Sequence, residues 1–286
     1  MVRRLAACVL AIAGSAAVAV EDDRPVEDAN RFRMAVPADP DLPTLFLVGD
    51  STVKCGTKGQ RGWGEEIGKY FDPAKVNLVN HAIGGRSSRT FITEGRWETT
   101  LSMIEPGDFV IIQFGHNDGG PLNDDSRARG SIRGTGDEVE EIDNLLTKKR
   151  EIVRSYGAYL RQYVNDTRAK GATPYLCTQV PRKMWDGEGR LIIRPDDGHP
   201  VWARTVAAAE DATLLDLYEA VATAYDQLGP DGVEPFFADA RTHTTTEGAD
   251  FTARIVVGLL EGLPASPWPD LISEAAEEIS AIPPGR

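Results

Sequence analysis

The chain has 286 residues, enough for one large domain or two small ones, and its 41% hydrophobic and 26% charged residues are those of an ordinary globular protein. Its formal charge of −13 argues against nucleic acid as partner, because binding a phosphate backbone needs clustered Lys and Arg. No stretch after residue 20 approaches the roughly 20 apolar residues that a membrane helix requires, so no membrane span is expected there.

Residues 1–19 set themselves apart. "MVRRLAACVLAIAGSAAVA" places two arginines before an apolar run that ends in small residues, the layout of a secretory signal peptide. The expected location is therefore secreted or periplasmic. Residues 20–42 read as a polar leader. The cysteines beyond the signal segment are Cys55 and Cys177, too few for a disulfide framework, and their pairing stays open.

From residue 43 apolar runs alternate with helical patterns. "TLFLVG" (44–49) reads as a strand buried on both faces, and "GWGEEIGKYF" (62–71) as a short helix. "VNLVNHA" (76–82) is a second strand, "RWETTLSMI" (96–104) a helix, and "DFVIIQFG" (108–115) the clearest strand in the chain. Residues 119–150 are polar and glycine-rich and suggest a long loop or a small excursion; such segments inside a compact domain are often functional. A helix over 152–171, a strand over 173–180, a helix over 199–211, a strand over 213–217 and helices over 218–229 and 246–262 follow. Residues 263–286 read as a peripheral tail. Five short apolar strands alternating with helices predict a parallel, doubly wound α/β sheet.

In such sheets ligands bind beyond the carboxyl ends of the strands. The distinctive polar residues fall there: Asp50-Ser51 after the first strand, "IGGRSSR" (83–89) after the second, "GHND" (115–118) after the third, and "FADARTHTTTEGA" (237–249) late in the chain. Singly, each has an ordinary structural reading, as a helix cap, a turn or a surface histidine. Jointly they supply what acyl transfer to water needs: a nucleophile in Ser51, a base in His243, an amide donor in Asn117 and a glycine N–H that no side chain obstructs.

With these blocks in this order, residues 43–262 resemble the SGNH or GDSL-type hydrolases, in particular the rhamnogalacturonan acetylesterase-like branch. "GDST" matches the nucleophile block, "GRS" within "AIGGRSSRTF" the glycine block and "GHND" the asparagine block. The resemblance implies a flavodoxin-like three-layer sandwich around a five-stranded parallel sheet, and ester hydrolysis with no cofactor and no metal. It implies Ser51 as nucleophile, His243 as base, and an oxyanion hole from the Ser51 N–H, the Gly85 N–H and the Asn117 amide, with Gly84 as the alternative to Gly85. The family's last block reads Asp-x-x-His, whereas here Ala240 stands three residues before His243 and Asp239 four before. Asp239 can orient the imidazole if the segment coils; otherwise a backbone carbonyl or a simple dyad would serve.

The implied substrate is an acetylated cell-wall polysaccharide, with pectin or rhamnogalacturonan first, and acetylated xylan, a small acyl ester or a catalytically weak carbohydrate-binding protein as alternatives. Arg86 and Arg89 are candidate partners for galacturonate carboxylates, and Trp63 for stacking on a sugar face. The absence of a Gly-x-Ser-x-Gly elbow around Ser51 disfavours the α/β-hydrolase fold.

Overall fold

The computed structural model describes residues 34–284, so the signal segment and the first part of the leader lie outside the described residues. Seven strands are described. β1 (Thr44–Gly49), β2 (Asn77–Asn80), β3 (Phe109–Gln113), β6 (Thr173–Cys177) and β7 (Thr213–Leu215) form one sheet in the order β2-β1-β3-β6-β7, and every neighbouring pair is parallel. β4 (Val139–Asp143) and β5 (Arg150–Arg154) form a separate antiparallel hairpin.

The continuous apolar runs follow from burial on both faces of the sheet. Side chains alternate along a strand, so Leu45 and Leu47 of β1 point one way and Phe46 and Val48 the other. Leu45, Leu47 and Ile111 pack with α5 (Leu217–Val233), α6 (Thr246–Glu261) and the short 3-10 turns Trp63–Glu65 and Ile67–Tyr70. Phe46, Val48, Val110 and Ile112 pack with α1 (Ser88–Thr93), α2 (Arg96–Leu101), α3 (Tyr156–Ala169) and α4 (His199–Ala209). Helices on both faces of one parallel sheet make the expected three-layer sandwich.

Several elements differ from the sequence reading, among them β4, which lies within the expected excursion over 119–150. The helix expected over 62–71 is two short 3-10 turns, in a segment carrying three glycines. α1 went unread; it is six residues long, and its start is a Ser87 cap whose hydroxyl accepts the Thr90 N–H while the Thr90 hydroxyl accepts the Ser87 N–H. The helix expected from 152 begins at Tyr156, because 150–154 is strand β5. The tail over 263–286 is more than peripheral: Trp268 of α7 (Trp268–Leu271) is fully buried, and its ring meets Phe109 with centroids 4.7 Å apart. Cys55 and Cys177 are buried free thiols. No helix among the described residues is long and apolar enough to cross a membrane.

The topology positions the site. The chain leaves β1 for β2 on one side, then crosses to β3 on the other. The reversal opens a crevice between the carboxyl ends of β1 and β3, where helices diverge to opposite faces. Ser51 and Asn117 follow those two ends.

Candidate active site

The turn after β1 is held from beneath. A Cβ on Gly49 would stand 2.6 Å from the Gln113 carbonyl oxygen, so only glycine lets β1 and β3 approach here. The next carboxylate, Asp50, is fully buried, and its Oδ1 accepts the Thr52 N–H at 2.9 Å and the Thr52 hydroxyl at 2.8 Å. The Gln113 amide donates to the Thr52 hydroxyl at 2.6 Å and accepts from the Trp63 indole N–H at 2.7 Å. This relay fixes the one-residue step from which the Ser51 side chain reaches the cleft.

The Ser51 Oγ lies 2.9 Å from His243 Nε2, across a sequence separation of 192 residues. On the other side of the ring, His243 Nδ1 lies 2.5 Å from Asp239 Oδ2. The segment is neither a helical turn nor extended. It curls because Asp239 Oδ1 accepts three backbone N–H groups, from Arg241 at 3.0 Å, Thr242 at 2.7 Å and His243 at 3.1 Å. The Ala238 N–H then closes the loop on the His243 carbonyl at 2.9 Å. One carboxylate thus shapes the loop and meets the ring, which is how a four-residue spacing reaches the place of the usual three. Partial burial pushes the Asp239 carboxyl up, but the Thr242 N–H, the His243 ring and the other two amides outweigh it and hold it well below the usual carboxylate range. Ala240 is exposed. The Arg61 N–H and carbonyl bond Thr244 on both sides, tying this loop to the segment after β1.

Gly84, Gly85 and Asn117 line the same cleft as Ser51 and His243, whose volume is about 390 Å³. A Cβ on Gly84 would be 3.4 Å from the Ser51 Cβ, and Gly85 has φ of +82°, the left-handed region glycine favours. The Asn117 amide donates to the Arg86 carbonyl at 2.8 Å. An amide carries two N–H donors, so this bond orients the group and leaves the second for the cleft. Behind it, the fully buried Asp118 accepts the Ser88 hydroxyl at 2.5 Å and the Ser131 hydroxyl at 3.1 Å, joining the second strand's loop to the excursion; burial pushes its carboxyl up to about 6 despite these bonds.

The three side chains expected to hold substrate are placed otherwise. Trp63 is 1% exposed and belongs to the relay beneath the turn. Arg86 lines no part of the cleft; it pairs with Glu94 at 3.0 Å and donates to the Gly84 carbonyl at 3.2 Å, steadying the glycine loop. Arg89 is 0% exposed, paired with Glu151 at 2.6 Å and donating to the carbonyls of Leu122 and Gly130 at 2.7 Å each. It fastens both ends of the loop over 122–130. Arg89→Ala would leave Glu151 and two carbonyls without their cation, so the fold is expected to lose about 3–5 kcal/mol. A falling urea midpoint reads this; an unchanged midpoint would show that the buried pair adds no net stability.

The cations that do line the cleft are Arg127 and Arg129, both from the excursion. Arg129 Nη1 donates to the Gly85 carbonyl at 3.0 Å. Burial and the neighbouring Arg127 charge lower its pKa from the usual arginine value. The only sequence signal for them was the polarity of a long internal loop. Among the described residues, no group of three or more His, Cys, Asp or Glu is arranged to hold a metal ion.

A serine, an imidazole and a carboxylate in line, with amide donors at the same cleft, can perform nucleophilic acyl transfer. The model of the GDSL-like lipase/acylhydrolase family matches residues 47–251. A rhamnogalacturonan acetylesterase of Emericella nidulans is 33% identical over 210 residues, covering 73% of this chain and 81% of that protein. The probable rhamnogalacturonan acetylesterase YesY of Bacillus subtilis is 33% identical over 229 residues, covering 77% and 94%. The crystal structure of YxiM from Bacillus subtilis superposes with a TM-score of 0.60 at 25% identity; the match covers 76% of this chain and 55% of that one. A catalytic variant of Axe2, an acetylxylan esterase of Geobacillus stearothermophilus, shares the fold with a TM-score of 0.50 at 19% identity, over 75% of this chain and 92% of that one. The family match spans most of the chain and includes every residue of the Ser51–His243–Asp239 line, so the chain belongs to the GDSL-like lipase/acylhydrolase family and is a carboxylic ester hydrolase.

Proposed function

We propose that this hydrolase removes acetyl groups from cell-wall polysaccharide, with acetylated pectin or rhamnogalacturonan as the first substrate class and Ser51, His243 and Asp239 as the catalytic residues. The reading is carried by the unbroken line from Ser51 Oγ through the His243 ring to Asp239, at 2.9 and 2.5 Å. The names of the 33% identical relatives support the substrate class. Export of the chain, as the segment 1–19 suggests, belongs to the same reading.

In this mechanism the Ser51 Oγ attacks the acetyl carbonyl carbon while His243 Nε2 takes its proton. Asp239 keeps the other proton on Nδ1 and stabilises the imidazolium. The Ser51 N–H, the Gly85 N–H and the free N–H of Asn117 meet the developing oxyanion. His243 returns its proton to the departing sugar oxygen, leaving an acetyl-serine. Water, deprotonated by His243, then releases acetate and restores the serine.

Asn117→Ala is expected to lower kcat by about 10²–10³, the usual cost of one oxyanion donor. KM should move much less, because that bond matures in the transition state. A pure KM effect would instead make Asn117 a ground-state binding residue. The substrate class is tested by acetate release from acetylated pectin and acetylated xylan, with p-nitrophenyl acetate as the general ester. Hydrolysis of the aryl ester with no acetate from either polymer would overturn the polysaccharide reading, and preference for xylan would move it to the second substrate.

A further inference from the structure

The loop over 122–130 is built to present two cations to the ester cleft. Its ends are fastened by the buried Arg89. Its tip is shaped by Asp124, whose Oδ1 accepts the backbone N–H groups of Ser126 at 2.9 Å, Arg127 at 2.5 Å and Ala128 at 2.8 Å. Ala128, at the turn between the two arginines, is buried with φ of +36°. A non-glycine residue is held in that region only when its surroundings determine it strongly. The turn sends Arg127 and Arg129 to the same cleft, with Arg129 stretched from beside Gly120 to the Gly85 carbonyl at the edge of the oxyanion hole.

Neither guanidinium has a carboxylate partner among the described residues, whereas Arg61, Arg86, Arg89, Arg161 and Arg194 all do. The residues lining the cleft include no Asp or Glu, in a chain with 44 of them against 31 Lys and Arg. Two like charges lining one cleft raise each other's energy, and the carboxylates that partly offset this for Arg129, those of Asp50, Asp118 and Asp124, lie outside the lining, so an anion entering the cleft is drawn to the pair. A guanidinium presents a planar fork that matches a carboxylate.

We propose that Arg127 and Arg129 form a carboxylate-binding subsite beside Ser51, which selects acetyl esters carried on uronate-bearing oligosaccharide over those on neutral chains. The proposal rests on the polysaccharide reading above and names the charge of its substrate. Local attraction of this kind acts against the chain's overall negative charge and is strongest where the cleft excludes solvent. Its strength falls with salt as the screening length shortens from about 30 Å at 0.01 M to about 3 Å at 1 M.

Two measurements test it. First, acetate release is compared between acetylated oligogalacturonate and the same oligomer with its carboxylates methyl-esterified. The wild type is expected to favour the free acid in kcat/KM by about tenfold or more at low salt, with the preference shrinking at high salt. Arg127→Gln/Arg129→Gln should abolish the preference, and Arg127→Lys/Arg129→Lys should restore part of it, since charge remains and the fork is lost. Equal rates on both oligomers in the wild type, or an equal loss on both in the variant, overturn the proposal. Second, non-acetylated oligogalacturonate is used to inhibit hydrolysis of p-nitrophenyl acetate, which reads the subsite without any polymer deacetylation. Competitive inhibition in the wild type that weakens in the double glutamine variant supports the subsite. Inhibition unchanged by the variant, or matched by the methyl-esterified oligomer, overturns it. If inhibition discriminates but no polysaccharide yields acetate, the subsite stands and the polysaccharide reading falls.

Discussion

Ser51→Ala is expected to reduce ester turnover by about 10⁵–10⁶ in kcat, leaving only what the oxyanion donors and binding supply. The fold should persist. The Ser51 hydroxyl takes no part in the Asp50–Thr52–Gln113–Trp63 relay beneath it, and its side-chain hydrogen bond is to His243. The measurement is single-turnover hydrolysis of p-nitrophenyl acetate, with near-ultraviolet circular dichroism as the check on folding. A folded variant that still gives a stoichiometric burst of p-nitrophenol would remove Ser51 as the nucleophile.

Asp239→Asn is expected to cost about 10⁴ in kcat. The amide oxygen can still accept the three backbone N–H groups that shape the loop, so the geometry should hold. What changes is the partner of His243 Nδ1: an amide N–H in that place forces the ring proton onto Nε2, where it cannot accept from Ser51. The spacing also makes a sharp contrast. Ala240 points to solvent, so Ala240→Asp in the Asp239→Asn background is not expected to restore activity, although it recreates the more familiar Asp-x-x-His pattern. A loss below about tenfold in Asp239→Asn would point to a dyad, and recovery by the second substitution would show that the loop can be redrawn.

The strands were legible because the sheet is covered on both faces. Burial on both sides leaves continuous apolar runs such as "FVIIQ" and "TLFLVG". The hairpin β4–β5 was not, for the opposite reason. Its strands bury little beyond Ile142 and Val153; the rest is charged, or apolar but exposed at Val139 and Ile152, so "REIVR" joined on naturally to the helix that follows. The nucleophile, the base and the asparagine were legible because strand ends in a parallel sheet converge on one edge. The substrate cations were not: nearness to a strand end says nothing about which way a side chain turns. Arg89 turns inward to fasten a loop, and Arg127 and Arg129 arrive in the cleft from a segment whose path depends on that buried arginine. Asp239 stood at an unusual spacing, and only a carboxylate bonding its own loop makes that spacing work.

Ser51 and His243 come from opposite ends of the folded region, and that separation has a kinetic meaning. The pairing of β1 with β2 and β3 needs only the segment between Thr44 and Gln113. The Ser51–His243 contact must wait for β6, β7 and the helices after them to close a path of 192 residues. Parallel, long-range pairings of this kind form slowly, because chain entropy is spent before the contact returns anything. Regained ester cleavage is therefore a late clock on refolding from urea. It should trail the burial of Trp97 against Tyr163 in the middle of the chain, and it counts molecules whose first and last segments have met.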